Sequence, residues 1–169
     1  MKLIALLSSA LAATAIATSA AALPPISRVT VDIGPKLQEK AVEDYGVREV
    51  DKLAAALQED VERALARNGG LAPEGGRLEL VLVDAKPNRP TMQQMSNKPG
   101  LSMQSFGIGG ATIEGRAVFA DGTSTPISYK WYESDIRQAI PSTTWSDAER
   151  TFNRFALRLA RGGDVYASR

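Results

Sequence analysis

The sequence predicts an α+β fold: a two-layer sandwich in which a sheet of about four strands carries two amphipathic helices on one face. Two segments place apolar residues at helical spacing, and four others have the composition of strands with turn residues between them. The predicted order is β-α-β, a long loop, and then β-β-α. A chain of 169 residues has the length of a single domain.

The two strands of the first half differ in pattern. Residues 28–33 alternate apolar and polar side chains, with Val29, Val31 and Ile33 on one side, which is typical of a half-buried strand. Residues 78–84 are apolar on both faces, as in a central strand. If these strands lie parallel, the connection between them is expected to be right-handed.

The strongest helix pattern covers residues 47–67. Asn68-Gly69-Gly70 follows it and provides the left-handed ending that helices favour. Residues 36–46 precede it without clear periodicity and are predicted as connecting structure with room for a helical turn. The apolar positions of the predicted helix are Val47, Val50, Ala54, Leu57, Val61, Ala64 and Leu65.

Residues 85–110 show no periodicity and contain several prolines and glycines. Structureless loops of this length are uncommon in small domains, and most are functional or disordered. The glycines at positions 107–110 do not have the ending or the following helix of a phosphate-binding loop. We therefore interpret them as a hinge or tight turn before the next strand.

A hairpin is predicted from two strands, residues 112–120 and 124–133, around Asp121-Gly122. Only a loop with an odd number of residues puts Ile113 on the same face as Tyr129 and Trp131. The prediction is therefore an odd loop with Gly122 in the left-handed conformation.

The last predicted helix begins with Ser146-Asp147-Ala148-Glu149, which has the pattern of a capping box. It ends at Gly162-Gly163, and residues 164–169 are predicted to be a frayed tail. Its predicted buried residues are Ala148, Phe152, Phe155, Ala156 and Leu159.

Residues 1–22 have the layout of a secretory signal peptide: Lys2, an apolar stretch, and Ala20-Ala21-Ala22 as the cleavage site. The expectation is a mature domain of residues 23–163, followed by the tail. Cysteine is absent, so attachment of a lipid at a cleavage-site cysteine is excluded. We expect a soluble periplasmic protein that does not span the membrane after cleavage.

Composition narrows the possible functions. The chain has 20 basic and 19 acidic residues, and removal of the leader takes away only Lys2. Nucleic-acid binding is therefore not expected, because it needs a basic excess. The absence of His and Cys excludes Ser-His-Asp and Cys-His catalysis. We expect neither an enzyme nor a bound cofactor.

Two groups of residues are candidates for an interaction surface. One is the long loop, since methionine and aromatic side chains form adaptable contact surfaces; its candidates are Met92, Met95, Met103 and Phe106. The other is a basic stripe on the last helix, suited to an anionic surface; it consists of Arg150, Arg154, Arg158 and Arg161. The expected partner is an envelope protein or an anionic envelope component.

Two alternatives stay open. The first is a hydrolase of envelope glycan that uses Glu133 and Asp135, which would converge on a pocket with at least one raised pKa. The second is Cu(I) binding by the thioethers of Met92 and Met95. Competition with a Cu(I) chelator would test the copper hypothesis, with both methionines changed to leucine as the comparison.

Four features together resemble an uncharacterised family of small exported proteins of Gram-negative bacteria, a domain of unknown function. They are the leader followed by residues 29–31, the helix leading into residues 78–84, the turn at residues 120–122, and the segment 145–149 with its aromatic helix. The resemblance implies a periplasmic α+β domain and supplies no catalytic residues.

Overall fold

The computed structural model describes residues 23–139 and 143–165. It contains a four-stranded sheet in the order β1-β2-β3-β4, in which β1 and β2 are parallel and the other pairs antiparallel. The strands are β1 (Ile26–Ile33), β2 (Gly76–Lys86), β3 (Gly110–Val118) and β4 (Ser124–Tyr132). The α-helices are α1 (Pro35–Lys40), α2 (Val47–Arg67), α3 (Met92–Asn97) and α4 (Ser146–Ala160).

The predicted α+β class is confirmed, although the element order agrees only roughly. A π-helical turn, Ala41–Tyr45, joins α1 to Gly46 before α2, and a 3₁₀ turn covers Ile136–Gln138. The predicted signal peptide and the last four residues of the predicted tail lie outside the described residues.

The core lies between one face of the sheet and the two long helices. α2 packs on β1, and α4 packs on β3, β4 and α2. The predicted apolar face of α2 is buried except for Val47, which is exposed, and it also includes Leu53. All five residues predicted to be buried on α4 are buried, and Phe152 and Phe155 are the largest of them.

Helices α2 and α4 run in the same direction. Near their amino ends, the Trp145 indole N–H donates to Glu49 Oε2 at 3.2 Å, and the Trp145 ring packs edge-on against Tyr45. Towards their carboxyl ends, Arg67 of α2 and Leu157 of α4 line the same small depression. Because the helix dipoles are aligned, both carboxyl ends favour cations in one region of the surface.

The hairpin has the predicted register. Ile113 pairs with Tyr129, and the Phe119 N–H donates to the Thr123 carbonyl at 2.8 Å. The loop between them therefore consists of residues 120–122, an odd number, and Gly122 has a φ of +84°. This is the three-residue hairpin loop, in which a turn is followed by a left-handed residue.

Residues 36–45 of the segment predicted to be mainly connecting structure are helical instead. Leu37, Ala41 and Tyr45 are buried and recur every four residues along α1 and the π-helical turn. Three apolar residues at this spacing are too few to reveal a helical period among the polar residues between them.

The loop predicted over residues 85–110 also contains regular structure. β2 continues to Lys86, and α3 begins after Thr91. Thr91 Oγ1 accepts from the Gln94 N–H, and Gln94 Oε1 accepts from the Thr91 N–H, so the pair forms a capping box. This Thr-x-x-Gln pattern is visible in the sequence, but the short helix it begins has too few residues to show a period.

The capping box predicted for α4 is wrong. The N-cap residue is Trp145, without a hydrogen bond from its side chain. The Ser146 hydroxyl instead contacts Thr143, accepting from its N–H at 2.8 Å, while the Thr143 hydroxyl donates to Glu149 Oε2. The Ser and Glu side chains therefore organise the segment before the helix.

At the carboxyl end, Val165 is buried, and its carbonyl accepts from the Ser128 N–H of β4 at 3.0 Å. The packed chain therefore extends beyond Gly163, where the predicted domain ended. Within the two described ranges, no helix combines the length and apolar character needed to cross a bilayer.

The sheet face opposite α2 and α4 carries a hydrogen-bonded polar network. Asp84 accepts from Lys40 Nζ at 2.7 Å and from the Tyr132 hydroxyl at 2.9 Å. Tyr132 Oη also lies 3.1 Å from Thr112 Oγ1. Burial raises the pKa of Tyr132 to about 12, to which its bond to the anionic Asp84 contributes.

We therefore expect one tyrosine of this protein to ionise with a midpoint near pH 12 in a spectrophotometric titration. The Tyr132→Phe variant should lose that step, and Asp84→Asn should move it to lower pH because the neighbouring negative charge is removed. Tyr129→Phe serves as the control. Loss of the same step in the control would contradict the assignment.

Candidate interaction site

The long loop is joined to α4 by a pair of buried polar residues, Asn88 and Asp147. Asp147 Oδ2 accepts from Asn88 Nδ2 at 2.6 Å and from the Gly109 N–H at 2.9 Å. Asn88 Oδ1 in turn accepts from the Asp147 N–H at 2.8 Å. Because both residues are almost completely buried, these bonds replace the hydration that each polar group loses on folding.

The backbone of Asn88 also brings the two ends of the loop together. Its N–H donates to the Thr144 carbonyl, and its carbonyl accepts from the Gly107 N–H, both at 2.8 Å. A Cβ atom on Gly109 would lie 2.6 Å from the Lys86 carbonyl oxygen. The chain therefore needs glycine where it passes this closely before β3, which favours the interpretation of a tight turn.

Arg150 lies between two carboxylates at the same end of α4. Its Nη1 is 3.4 Å from Asp147 Oδ1 and 3.6 Å from Glu133 Oε2. The buried side of Asp147 that has no hydrogen bond from the described residues therefore faces a cation. This contact keeps the charge of Asp147 compensated.

Helix α3 holds the outer part of the loop against the π-helical turn. At the end of a helical segment the last carbonyl groups have no partner within it. Here the side chains of α3 satisfy them: Gln93 Nε2 donates to the Val42 carbonyl at 2.7 Å, and Asn97 Nδ2 donates to the Glu43 carbonyl at 3.3 Å. The polar side chains of α3 thus restrain the loop.

An ion pair adds to this restraint. Asp44 accepts from Gln94 Nε2 at 2.8 Å and lies 2.5 Å from Lys98 Nζ. Burial by itself would raise the pKa of Asp44, but the hydrogen bonds from Lys98 and Gln94 outweigh it and hold the pKa below its ordinary value. The contribution of Asp44 to the docking of α3 is therefore present above the ordinary pKa and is lost as the pH falls through the lowered pKa.

The restrained loop presents apolar side chains to solvent. Met92 is 72% exposed, and Met103 and Phe106 are each 57% exposed. Leu101 is exposed as well, whereas Met95 is half-buried. We call Met92, Leu101, Met103 and Phe106 the apolar loop surface.

A groove of about 260 Å³ adjoins this surface. Leu101 and Phe106 form part of its wall, together with Tyr45, Pro87 and Pro90. Arg89 fixes the far side of the loop, since its Nη1 donates to the Met103 carbonyl. The groove and the exposed side chains form a concave apolar site with polar groups at its margin.

The arginine stripe of α4 lies over aromatic rings of β4. The guanidinium of Arg154 is 4.3 Å from the centre of the Trp131 ring, with Arg150 at 5.7 Å from the same centre. Arg158 is 5.5 Å from the centre of the Tyr129 ring. Cation–π contacts and coverage of the rings thus give three of the four arginines a packing role.

Glu133 and Asp135 bind different groups. Glu133 Oε1 accepts from the N–H groups of Ser134 and Asp135, at 2.9 and 3.2 Å. Asp135 pairs with Arg137 at 2.8 Å, and the hydrogen bond from Arg137 lowers the pKa of Asp135. The hydrolase alternative expects a raised pKa, so this geometry gives it no support.

The copper alternative stays a prediction. Met92 and Met95 lie one turn apart on α3, with the first exposed and the second half-buried. Across the part of the chain that the structure describes, no group of three acidic side chains is placed to hold a metal ion.

The residues that join the loop to α4 were not among the sequence-based candidates. Asp147 was assigned to a helix cap, and Asn88 has no repeat or motif around it apart from the prolines at positions 87 and 90. Their pairing spans 59 positions of sequence, and a single sequence contains no signal for such a contact.

Comparison with protein-family models, with curated proteins and with solved structures finds no match to this chain.

Proposed function

We propose that this protein is a non-catalytic periplasmic binding protein of the cell envelope, exported by the leader at residues 1–22. Its proposed partner is an envelope protein that contributes an apolar segment to the apolar loop surface. The layout of residues 1–22 supports the location. The proposal rests on the exposed apolar side chains of a loop that is itself restrained.

The distribution of exposed apolar residues supports this site. Eight large hydrophobic residues are exposed in the described ranges, and the apolar loop surface contains four of them. Apolar area removed from water contributes roughly 25 cal/mol per Å². Exposed clusters of this kind commonly mark interaction sites.

The restraint of the loop also favours binding. The Asn88–Asp147 pair and the contacts of α3 hold the backbone before any partner arrives. A preformed surface loses less conformational entropy on association than a loop that must first become ordered. The methionine side chains stay flexible enough to adapt to the partner.

The arginine stripe remains a candidate for contact with an anionic envelope component. Arg154, Arg158 and Arg161 are exposed, and no ion pair of theirs is found among the described residues. We give the apolar loop surface precedence because the rings of β4 already provide a packing role for most of the stripe.

Photo-crosslinking in intact cells tests the proposed site. A photoreactive residue at position 103 or 106 should form a covalent adduct with the same envelope protein, identified by mass spectrometry. The same residue at Leu71, also exposed but between α2 and β2, is the matched control and should give no such adduct. Absence of adducts, or equal adducts at all three positions, would contradict the proposal.

The same cells test the location. The recovered chain should have the mass expected for an amino terminus at Leu23 and should appear in the periplasmic fraction. An intact chain confined to the cytosol would contradict the envelope role even if adducts formed.

In the double variant Met103→Ser/Phe106→Ser, crosslinking from position 92 should fall while the free energy of unfolding changes by about 0.5 kcal/mol or less.

A further inference from the structure

The outer edge of β1 is unpaired along most of its length. Beside Ile26 the edge is occupied, because the Ile26 N–H donates to the Gly70 carbonyl at 2.8 Å and its carbonyl accepts from the Ala72 N–H at 3.0 Å. At the other end the chain leaves the sheet at Gly34 and enters α1. Between these limits, residues 27–33 bond through their backbone to no described strand other than β2.

The direction of the backbone groups follows from one hydrogen bond. The Gly34 N–H donates to the Leu82 carbonyl at 2.9 Å, so residue 34 faces β2. Because the hydrogen-bonding direction alternates along a strand, Thr30 and Asp32 also face β2 through their backbone. Val29, Val31 and Ile33 therefore direct their N–H and C=O groups outward.

The side chains along this free edge are symmetric about its midpoint, Thr30. Val29 and Val31 flank Thr30 on the helix-covered face, and Val31 is only half-buried. Arg28 and Asp32 lie two positions away on the opposite face, both exposed. Neither of these two has an ion pair with another described residue. The edge thus carries a positive and a negative charge at equal distances from its centre.

We propose that β1 pairs antiparallel with β1 of a second copy of this chain, about a two-fold axis at Thr30. The outward backbone N–H and C=O groups of Val29 would then bond to those of Val31 of the partner subunit. By symmetry, Val31 would bond in the same way to Val29 of the partner subunit. Arg28 would lie opposite Asp32 of the partner subunit at a position without backbone bonds, where the Cα atoms are about 4.5 Å apart. Two ion pairs and a continuous sheet across both copies result.

The charges select this register over its neighbours. A shift of one residue would turn each strand's apolar side chains to the wrong face. An axis at Val29 would place Arg28 opposite Thr30 of the partner subunit. An axis at Val31 would place Asp32 opposite Thr30 of the partner subunit. Only the axis at Thr30 brings opposite charges together, in the isologous arrangement that two-fold dimers use.

Charge reversal tests the proposed pairing by sedimentation equilibrium of the purified protein. Arg28→Asp would place an aspartate opposite Asp32 of the partner subunit, and Asp32→Arg would place an arginine opposite Arg28 of the partner subunit. Each change acts at both symmetric positions of the interface. Each change should raise the dimer dissociation constant by about 10-fold or more, because two attractive pairs become repulsive. The double variant R28D/D32R restores opposite charges and should return the constant to within about 3-fold of the wild type.

Two further variants separate this interface from general effects of charge. Lys130→Asp makes the same change of charge as Arg28→Asp on the opposite edge strand and should leave dimerisation unaltered. Val31→Pro removes an outward N–H, which an edge strand tolerates, and should abolish the dimer while thermal unfolding shows a folded chain.

The proposal would be overturned if the wild-type protein remained a monomer at protein concentrations up to about 1 mM, because a dimer that does not form there would be too weak to matter. It would also be overturned if the double variant dimerised no better than either single variant. An equal effect of Lys130→Asp and Arg28→Asp would assign the result to net charge instead of the β1 pairing.

Discussion

Replacement of Asp147 by alanine is expected to lower the free energy of unfolding by about 3–5 kcal/mol. The change removes the acceptor for Asn88 Nδ2 and for the Gly109 N–H, and it leaves both donors buried. It also removes one of the two carboxylates that face Arg150. Urea unfolding monitored by circular dichroism measures the loss.

Asp164→Ala is the matched control, because Asp164 is exposed, and its free energy of unfolding should change by about 0.5 kcal/mol or less. The Asn88→Ala variant completes a double-mutant cycle with Asp147→Ala. Since the two side chains share their hydrogen bonds, their effects should be less than additive, with a coupling energy of about 0.5–3 kcal/mol. A stable Asp147→Ala protein with additive effects would show that the pair does not hold the loop.

Gly115→Ala is expected to destabilise the protein by about 2–5 kcal/mol, combining backbone strain with overpacking. Gly115 lies in β3 with a φ of +153°. A Cβ atom there would be 2.2 Å from the Glu79 carbonyl oxygen and 2.9 Å from Leu80 Cα. Both atoms belong to the backbone of the neighbouring central strand, so neither can move aside without disturbing the sheet.

Gly107→Ala provides the comparison for this second prediction. A Cβ at position 107 would meet nothing within 4 Å, so its thermal unfolding should stay close to that of the wild type. The Gly115→Ala variant should unfold at a clearly lower temperature. If both alanine variants melted together with the wild type, the close approach of β3 to β2 at this point would be incorrect.

The sequence predicts best where many residues repeat the same signal. The bounds of α2 follow from a period sustained over 21 residues, and the hairpin register follows because one shifted residue would bury Lys130 and expose Tyr129. Short elements lack such redundancy. α3 has six residues, and its position depends on carbonyl groups that a distant helical segment leaves free.

The sequence predicts where the candidate interaction site lies, but not the contacts that hold it in position. The long loop with Met92, Met103 and Phe106 stands out by composition, and the structure exposes these side chains. What restrains the loop depends on Asn88 and Asp147, which are far apart in sequence. A local pattern assigned Asp147 to a helix cap, since the carboxylate at such a position usually serves the helix itself.

The meeting of Asn88 and Gly107 makes the segment between them a closed Ω-type excursion from the sandwich. Its ends are already adjacent, so the entropic cost of closing the chain changes only slowly with the length of this segment. A change in the length of this segment is therefore expected to leave the sheet and both long helices unchanged, provided that the contacts of α3 with the π-helical turn are kept.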